Sequence, residues 1–433
     1  MAMTWWYALA GFSALTVLLL LGVPIAFSML IVGTGGIIAV LGLDPALALL
    51  GQIPVSQTTS YELSVVPMFI LMGAFVARSG IAADLYDSCN ALIGHRRGGL
   101  AMATIVACGG FAAVCGSSVA TAATFSRIAA PSMRRYGYHE GLAAASICAG
   151  GTLGILIPPS VIMVIYGVMT GTDVAKLFIA GLIPGVLAIL LYALTIQIIV
   201  WKNPSAGPRA DKVPLGRALK SFAHVWPVLA LFLLVMGGLY FGAFTATEGG
   251  AIGAFGAFCF ALWRRSLTWA TLMECAIETA RTTGSLFAIL IGALMFSQFM
   301  NFAGLPNALK EAVTAFGVQP LLVISMILLL YIVLGTFFEE LSMILLTVPI
   351  FFPLVVGLGF DPIWFGIVIV MVVELGLISP PVGMNLFVVQ SMLKTPLSML
   401  WRWITPFAIA DVIRLGIVVL VPQIVLYLPG LMK

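Results

Sequence analysis

The chain has 433 residues, of which 62% are hydrophobic and only 8% are charged. Soluble domains carry roughly 25% charged residues, so this composition excludes a water-soluble globular protein and indicates that lipid surrounds most of the chain. The net charge of +4 is what cytoplasmic loop lysines and arginines produce in a membrane protein. It gives no reason to expect nucleic acid as a partner.

The N-terminal segment carries no charge before Asp44, so it lacks the positive n-region of a cleaved signal peptide and is expected to be a retained transmembrane helix. Six cysteines and three histidines show no CxxC pattern and no metal-ligand spacing. Neither HExxH nor a Walker A motif occurs. The sequence therefore predicts neither an intramembrane enzyme nor a nucleotide hydrolase.

Apolar stretches near the length of about 20 residues that crosses a bilayer recur along the chain. Ten are predicted to cross it: Trp5–Phe27, Met29–Leu43, Leu63–Val76, Leu142–Met169, Leu177–Trp201, Val225–Phe244, Gly249–Trp263, Ser285–Phe302, Ile363–Leu393 and Leu397–Pro429. Two others, Met102–Met133 and Leu321–Pro353, are too long for one crossing and are broken midway by polar residues. Each is predicted to be a re-entrant hairpin, which is tolerated at membrane depth where protein or a cavity surrounds it.

Basic residues predict the orientation of this arrangement. With the N-terminus outside, most lysines and arginines lie on the cytoplasmic side, and only Lys176, Lys310 and Lys433 lie outside. The first hairpin then enters from the cytoplasm and the second from outside, and residues 202–222 form a cytoplasmic linker. Three segments with charges at helical spacing are predicted to lie along the membrane surface: Ile81–Gly94, Ser266–Thr279 and Leu305–Gly317.

The two halves of the chain resemble each other at an offset of 222 residues. The matching prolines are Pro131, Pro158, Pro159 and Pro184 with Pro353, Pro380, Pro381 and Pro406. Each half then holds five crossings and one hairpin, and because five is odd the second half must be inverted relative to the first. Inverted-topology repeats are typical of secondary transporters; a symmetric structural bundle without transport is the alternative.

Adjacent prolines interrupt a long apolar run in each half, Pro158-Pro159 in the first and Pro380-Pro381 in the second. Proline removes a backbone donor and disrupts the helix, which frees carbonyl oxygens near the bilayer centre. A bound Na⁺ satisfies several carbonyls at once. The alternative is that each Pro-Pro pair only kinks the helix for packing. Half-helix N-termini that point at the same place favour an anionic ligand.

These patterns predict two sets of binding residues, because each broken helix is expected to face the tip of its own hairpin. The predicted Na⁺ ligands are Gly116, Ser117, Ser118, Gly151, Thr152, Gly154, Gly335, Thr336, Glu339, Gly376, Ser379, Gly383 and Asn385. The predicted substrate-binding residues are Ser118, Thr121, Thr124, Pro159, Ser160, Pro381 and Asn385.

Other charges within apolar stretches are expensive in lipid and are functional candidates by default. Asp411 and Arg414 are spaced i,i+3 and are predicted to pair with each other. Glu374 either coordinates an ion or makes a structural hydrogen bond, and Glu340 is expected at the membrane surface.

At these motifs the chain resembles the large membrane subunit of tripartite ATP-independent periplasmic (TRAP) transporters. The resemblance covers essentially the whole chain and is carried by residues 116–120, 131–138, 151–167, 335–339, 349–353 and 379–388. It implies Na⁺-driven import of a carboxylate-bearing substrate by an elevator movement in the inner membrane of a bacterium. It also implies two partners, a small four-helix membrane subunit and a periplasmic substrate-binding protein.

The resemblance further implies how the chain divides. Residues 1–97 and 223–318 are expected to form a scaffold with its interfacial arms. Residues 98–201 and 319–433 are expected to form the two halves of a moving transport domain, joined to the rest through the linker 202–222. A stand-alone Na⁺–dicarboxylate symporter or antiporter without a binding protein is the alternative within the same superfamily.

Overall fold

The computed structural model describes residues 4–214, 216, 221, 223–315 and 317–432. Regular secondary structure in those ranges is helical, without a strand, which confirms the predicted all-α class. The first-half helices are α1 (Thr4–Leu20), α2 (Ile25–Leu41), α3 (Leu43–Thr58), α4 (Val65–Arg78), α5 (Ile81–Ile93), α6 (Gly99–Cys115), α7 (Ser118–Arg135), α8 (Glu140–Leu156), α9 (Val161–Thr170) and α10 (Val174–Lys202).

The second half repeats much of this order of long and short helices. Its helices are α11 (Trp226–Tyr240), α12 (Ala246–Trp263), α13 (Trp269–Phe302), α14 (Leu305–Ala315), α15 (Pro320–Gly335), α16 (Glu340–Gly357), α17 (Pro362–Ile378), α18 (Met384–Leu393), α19 (Leu397–Leu420) and α20 (Gln423–Leu426). Helix α2 packs along α13, and α12 packs along α4, so helices of one half are held against helices of the other.

Both long apolar stretches fold as two helices with a break at the polar tip. In the first, Gly116 separates α6 from α7 with a φ of 67°, a left-handed conformation that glycine adopts without strain. The Ser117 hydroxyl accepts a hydrogen bond from the Ala120 amide at 3.3 Å and caps α7. In the second, residues 336–339 separate α15 from α16.

Both Pro-Pro segments also interrupt helices where the sequence predicts it. Residues 157–160 separate α8 from α9, and residues 379–383 separate α17 from α18. The peptide bonds Pro158-Pro159 and Pro380-Pro381 are both cis.

The predicted boundaries differ from the structure near the N-terminus. The predicted crossing Trp5–Phe27 is wrong, because α1 ends at Leu20 and Phe27 belongs to α2. Gly22, with a φ of 80°, and Pro24, which precedes α2, turn the chain between them. Helix α3 was not predicted, because its sequence mixes polar and apolar residues; it meets α4 at an angle of 57°.

The region before the second hairpin also differs from its prediction. The surface helix Ser266–Thr279 and the crossing Ser285–Phe302 are one continuous 34-residue helix, α13. Residues 281–283 are polar, which suggested a connection, but residues 280–284 contain no proline to interrupt the helix.

Five helical segments in the described ranges have the length and hydropathy to cross a membrane, or six if the bent pair α3–α4 counts as one crossing. Others, such as α2, α6, α15 and α17, are apolar helices of 10–17 residues. At 1.5 Å per residue, such a helix is short for the roughly 30 Å hydrocarbon layer. The ten crossings and their orientation stay predictions.

The described part of the linker is attached to the protein rather than extended into solvent. The Gly98 amide donates to the Gly207 carbonyl at 2.9 Å, and the His139 amide donates to the Ala206 carbonyl at 3.0 Å. The Ala210 amide donates to the Gly94 carbonyl at 3.1 Å. Linker residues 215, 217–220 and 222 lie outside the described residues.

Close backbone contact fixes α2 against α13. A Cβ added to Gly292 would lie 2.3 Å from the Ala26 carbonyl oxygen, and a Cβ added to Gly33 would lie 2.6 Å from the backbone of Met295. Small residues at membrane helix contacts let backbones approach closely and supply the packing that lipid does not.

We therefore expect Gly292→Ala and Gly33→Ala to destabilise the protein by about 1–3 kcal/mol, because the added methyl groups meet backbone that cannot give way. Thermal unfolding in detergent measures the effect. Gly284→Ala on α13 and Gly35→Ala on α2 are matched controls, since neither added Cβ has an atom within 4 Å. Equal melting temperatures for all four variants would contradict the close contact.

Candidate functional site

The first hairpin tip lies directly against the first broken helix. A Cβ on Gly154 would lie 2.4 Å from the Ser117 carbonyl oxygen, and a Cβ on Gly116 would lie 2.8 Å from the Pro159 carbonyl oxygen. The predicted ligands on the tip and at the break are thus in backbone contact. Glycine is required at both positions because any side chain would force them apart.

The second tip and break meet in the same way. A Cβ on Gly376 would lie 2.7 Å from the Gly335 Cα. The Gly383 amide donates to the Thr336 carbonyl at 3.4 Å. The structure therefore brings together the predicted residues of each half, tip against break.

Hydroxyl groups in both halves direct their protons to backbone carbonyls. The donor–acceptor pairs are Thr121 to Ser117 at 2.7 Å, Thr152 to Ala149 at 2.8 Å, Ser160 to Ile155 at 2.6 Å, Thr336 to Val333 at 2.8 Å and Ser379 to Leu375 at 2.7 Å. A hydroxyl has one proton and two lone pairs. These oxygens therefore keep lone pairs that could accept from a further donor or face a hard cation.

The two hairpin tips also contact each other. The Ser118 hydroxyl donates to Glu340 Oε2 at 2.9 Å, and both residues are buried. They stand at equivalent positions of the two halves, 222 residues apart. The expected surface location of Glu340 is wrong, because the partner that makes its burial tolerable comes from the other half of the chain. The neighbouring Glu339 accepts from the Ser342 hydroxyl at 3.1 Å.

Asn385 is the least satisfied of the predicted residues. Its side chain is fully buried, and neither its amide nitrogen nor its amide oxygen has a hydrogen-bond partner among the described residues. It lies on α18, which packs on α7 and α8 of the first half. Buried amides are normally paired, so this side chain indicates a polar ligand.

The remaining predicted residues are covered unequally. Pro159 is buried at the first break and Thr124 is half-buried on α7, whereas Pro381 is exposed at the second break. The two breaks are thus alike in sequence and in tip contact but differ in how much protein covers them.

A cavity of about 160 Å³ lies between the two tips on one side and α4 and α13 on the other. Ser117 and Glu340 line it from the tips, and Gly73, Glu278 and Thr282 line it from the other side. Sequence reasoning missed the last three.

The position of Glu278 is fixed by Arg78, whose Nη2 lies 2.7 Å from Glu278 Oε2. The nearest signal in the sequence was the charged segment Ser266–Thr279, which was interpreted as a surface helix.

The predicted pairing of Asp411 with Arg414 is confirmed, with Asp411 Oδ1 at 2.9 Å from Arg414 Nη2. The same guanidinium nitrogen lies 2.5 Å from Glu374 Oε2. Glu374 therefore makes a structural ion pair through Oε2, whereas its buried Oε1 has no hydrogen-bond partner among the described residues, so its coordination of an ion stays a prediction.

Comparison with known proteins gives a family match over nearly the whole chain. The family of the tripartite ATP-independent periplasmic transporter, DctM component, matches residues 12–424. The C4-dicarboxylate TRAP transporter large permease protein DctM of Pseudomonas aeruginosa is 38% identical over 371 residues, which cover 86% of each chain. The isethionate TRAP transporter permease protein DctMQ of Oleidesulfovibrio alaskensis is 31% identical and covers 98% of this chain, which matches 66% of that longer protein.

A solved structure shares the fold. The crystal structure of the YdaH transporter of Alcanivorax borkumensis aligns with a TM-score of 0.60 at 14% sequence identity, covering 87% of this chain and 88% of that one. At this identity the likeness concerns the fold alone.

Asn385→Leu separates stability from ligand binding. Because the buried amide has no partner in the protein, an apolar side chain of similar volume should leave the melting temperature unchanged or raise it. If the amide contacts a transported ligand, uptake should fall by about 5- to 150-fold, because a lost buried polar contact costs about 1–3 kcal/mol. Uptake and thermal unfolding are measured on the same preparation.

Thr347→Val is the matched control, since the Thr347 hydroxyl is buried but bonded to Met343 and Tyr331. It should lower the melting temperature and leave the substrate affinity unchanged. Native uptake by Asn385→Leu would show that this amide contacts no ligand.

Proposed function

The chain belongs to the DctM component family of TRAP transporters, and from that premise we propose that it imports a small organic anion together with Na⁺. As a large permease of this family it is a transporter subunit and not an enzyme, and it acts in secondary transport of organic acids with a periplasmic binding protein. The observation that carries the Na⁺ proposal is the backbone contact of two hairpin tips with two Pro-Pro breaks.

Na⁺ enters this proposal as a co-transported substrate with one site in each half. The first site is assigned to oxygen atoms of residues 116–118, 151, 152 and 154, and the second to oxygen atoms of residues 335, 336, 339, 376, 379, 383 and 385. Carbonyl and hydroxyl oxygens suit a hard cation, and transporters of this kind coordinate Na⁺ with unwound backbone carbonyls. The hydroxyls in both sets keep free lone pairs.

The organic anion is proposed to bind at the tips, with Ser118 and Asn385 among its contacts and with the cavity that Ser117 lines beside it. Glu278, which is paired with Arg78, and Glu340 line this cavity, and none of its described lining residues is a lysine or an arginine. Two bound Na⁺ ions would supply the positive charge that attracts the anion by Coulomb's law. Their charge gives a physical reason for coupling, because the anion then binds well only after the cations.

The finer architecture is proposed to be two inverted repeats of five crossings and one hairpin each, operating as an elevator. Residues 98–201 and 319–433 would move as one body against a scaffold of residues 1–97 and 223–318. The matching order of helices in the two halves supports this division. The Ser118–Glu340 hydrogen bond also supports it, because it ties the two tips together.

The partners are proposed to be a small four-helix membrane subunit and a periplasmic substrate-binding protein, in the inner membrane of a bacterium. The longer relative named DctMQ extends beyond the part that this chain matches, which supports a second membrane component. The names of the relatives give different anions, a C4-dicarboxylate and isethionate. We propose a small acid of this general kind, with the binding protein making most of the selection.

The Na⁺ proposal predicts that uptake into vesicles containing all three components depends on Na⁺ with a Hill slope above one, because two sites must fill. An imposed Na⁺ gradient should drive accumulation of the substrate. Full uptake in Na⁺-free medium under a proton gradient would exclude Na⁺ coupling.

The elevator proposal predicts that a cross-link across the cavity stops transport. Cysteines at Ala74 on α4 and Ala120 on α7, joined by a bifunctional reagent, would fix the first hairpin to the scaffold, since both residues line the cavity. Uptake should fall at least tenfold while the small subunit stays bound.

The matched control cross-links Gly109→Cys with Ile189→Cys inside the proposed moving body, where a Cβ on Gly109 lies 3.3 Å from Ile189 Cγ1. That cross-link should reduce uptake by no more than about twofold. If both cross-links left uptake intact, the division into moving and fixed parts would be wrong.

A further inference from the structure

Five polar side chains meet in the core between α8, α10, α17 and α19, away from the hairpin tips. We name Thr152, Tyr192, Asp411, Arg414 and Glu374 the core cluster. All five are buried. The ion pair within it was expected, but the two first-half members and their link to it were not.

The core cluster is a continuous chain of contacts between the two halves. Thr152 Oγ1 lies 3.3 Å from the Tyr192 hydroxyl, which donates to Asp411 Oδ2 at 2.6 Å. Asp411 Oδ1 lies 2.9 Å from Arg414 Nη2, which lies 2.5 Å from Glu374 Oε2. The tyrosine–aspartate hydrogen bond is the link that joins the first half to the second.

Proton counting fixes the direction of this chain. Tyr192 has one hydroxyl proton and gives it to Asp411. Thr152 also has one hydroxyl proton, and its Oγ1 lies 2.8 Å from the Ala149 carbonyl oxygen and 3.3 Å from the Tyr192 hydroxyl oxygen. Thr152 therefore donates to Tyr192 only when it gives up its bond to Ala149. A small movement of Thr152 therefore changes which bonds are made at Tyr192 and Asp411.

The two ends of the chain stand at equivalent places. Thr152 lies four residues before the end of α8 at Leu156, and Glu374 lies four residues before the end of α17 at Ile378. Each is thus in the last turn before a Pro-Pro break. Their partners are equivalent too, because Tyr192 and Arg414 each follow their partner by 40 residues.

We propose that the core cluster couples the two Na⁺ sites, so that filling one break raises the Na⁺ affinity of the other. The inference rests on the proposed function. A cation at the first break orders the last turn of α8 and holds Thr152 against Tyr192. The bond to Asp411 then holds Arg414, which holds Glu374 and the last turn of α17.

The burial of the core cluster strengthens the coupling between the two proposed Na⁺ sites. The five side chains are buried, so a bond lost at one member leaves its neighbour unsatisfied at a greater cost than it would have in water. Two sites are coupled when both bias the same discrete arrangement, and here that arrangement is the hydrogen-bonded chain.

Tyr192→Phe removes the hydroxyl that joins the halves within the core cluster and keeps the ring, which packs against Phe407. Na⁺ binding is measured on the purified protein from the rise of melting temperature with Na⁺ concentration, and uptake is measured in vesicles with both partners. We expect the Hill slope of Na⁺ binding to fall from above one to about one and the half-saturating Na⁺ concentration for binding to rise at least threefold. Uptake at saturating Na⁺ should stay within twofold of native.

Tyr166→Phe is the matched control. Tyr166 is also buried, and its hydroxyl donates to the Pro362 carbonyl at 2.6 Å, outside the core cluster. It should lower the melting temperature at every Na⁺ concentration without changing the Hill slope. If Tyr192 had only a structural role, Tyr192→Phe would likewise lower the melting temperature and leave the Hill slope unchanged.

A double-mutant cycle tests the coupling directly. Ser117→Ala weakens the proposed first site and Ser379→Ala the second. In the native background their combined effect on Na⁺ affinity should depart from the product of the single effects by at least threefold. In the Tyr192→Phe background the combined effect on Na⁺ affinity should equal the product of the two single effects.

The outcomes separate the inference from the function it rests on. A native protein that binds Na⁺ with a slope above one, together with an unchanged slope in Tyr192→Phe, overturns the coupling alone. A native protein without Na⁺ binding overturns the proposed function and the coupling with it. If Tyr192→Phe does not fold, Asp411→Asn weakens the same bond from its other side at a residue outside both proposed Na⁺ sites, and an unchanged slope in that variant likewise overturns the proposal.

Discussion

A backbone group that leaves a helix inside a membrane must find its partner within the protein, because lipid offers none. This chain leaves helices at four such places: two hairpin tips and two Pro-Pro breaks. The structure places them in pairs, with the Ser117 carbonyl against Gly154 and Gly335 against Gly376. The glycines, the short flanking helices and the burial of α8 and α17 all follow from the need to bring these pairs into contact.

The two halves use this arrangement with different chemistry. The first tip begins its second helix with Ser117 and Ser118, whereas the second tip has Glu339 and Glu340 at the equivalent places. Behind the breaks, a hydroxyl pair in the first half stands where an ion pair stands in the second. The acidic and basic side chains at the tips and behind the breaks thus lie in the second half. Two hydroxyl groups of the first half donate hydrogen bonds to them, Ser118 to Glu340 and Tyr192 to Asp411.

Local sequence signals located most of these features. Glycine and proline mark chain reversals and helix ends by their own backbone preferences, so the hairpin tips and the breaks were predictable. The Asp411–Arg414 pair was predictable from its i,i+3 spacing. The prediction failed where polar residues alone suggested an end: α13 continues through the polar residues 281–283, and α3 is a helix despite its mixed composition.

The residues that sequence reasoning missed depend on partners far along the chain. The sequence suggested that Glu340 is exposed, because its hydrogen-bond partner, Ser118, lies 222 residues away in the chain. Glu278 was placed on a surface helix, although Arg78 holds it beside the cavity. A single sequence shows which polar groups need a partner. It does not show which group of the other half is that partner, because contacts between the halves depend on how whole helices pack.

The cavity wall opposite the tips suits a sliding contact. Helix α4 presents Gly73, Ala74 and Ala77 to the first tip, and a Cβ on Gly73 would lie 2.7 Å from the Cys115 carbonyl oxygen. Small side chains have little rotamer freedom to lose and interdigitate shallowly, so moving past them opens few voids. The charged pair Arg78–Glu278 ties α4 to α13 beside this surface, which keeps the wall rigid. Strong polar bonds therefore join helices within each proposed body, whereas small apolar side chains form this part of the boundary between them.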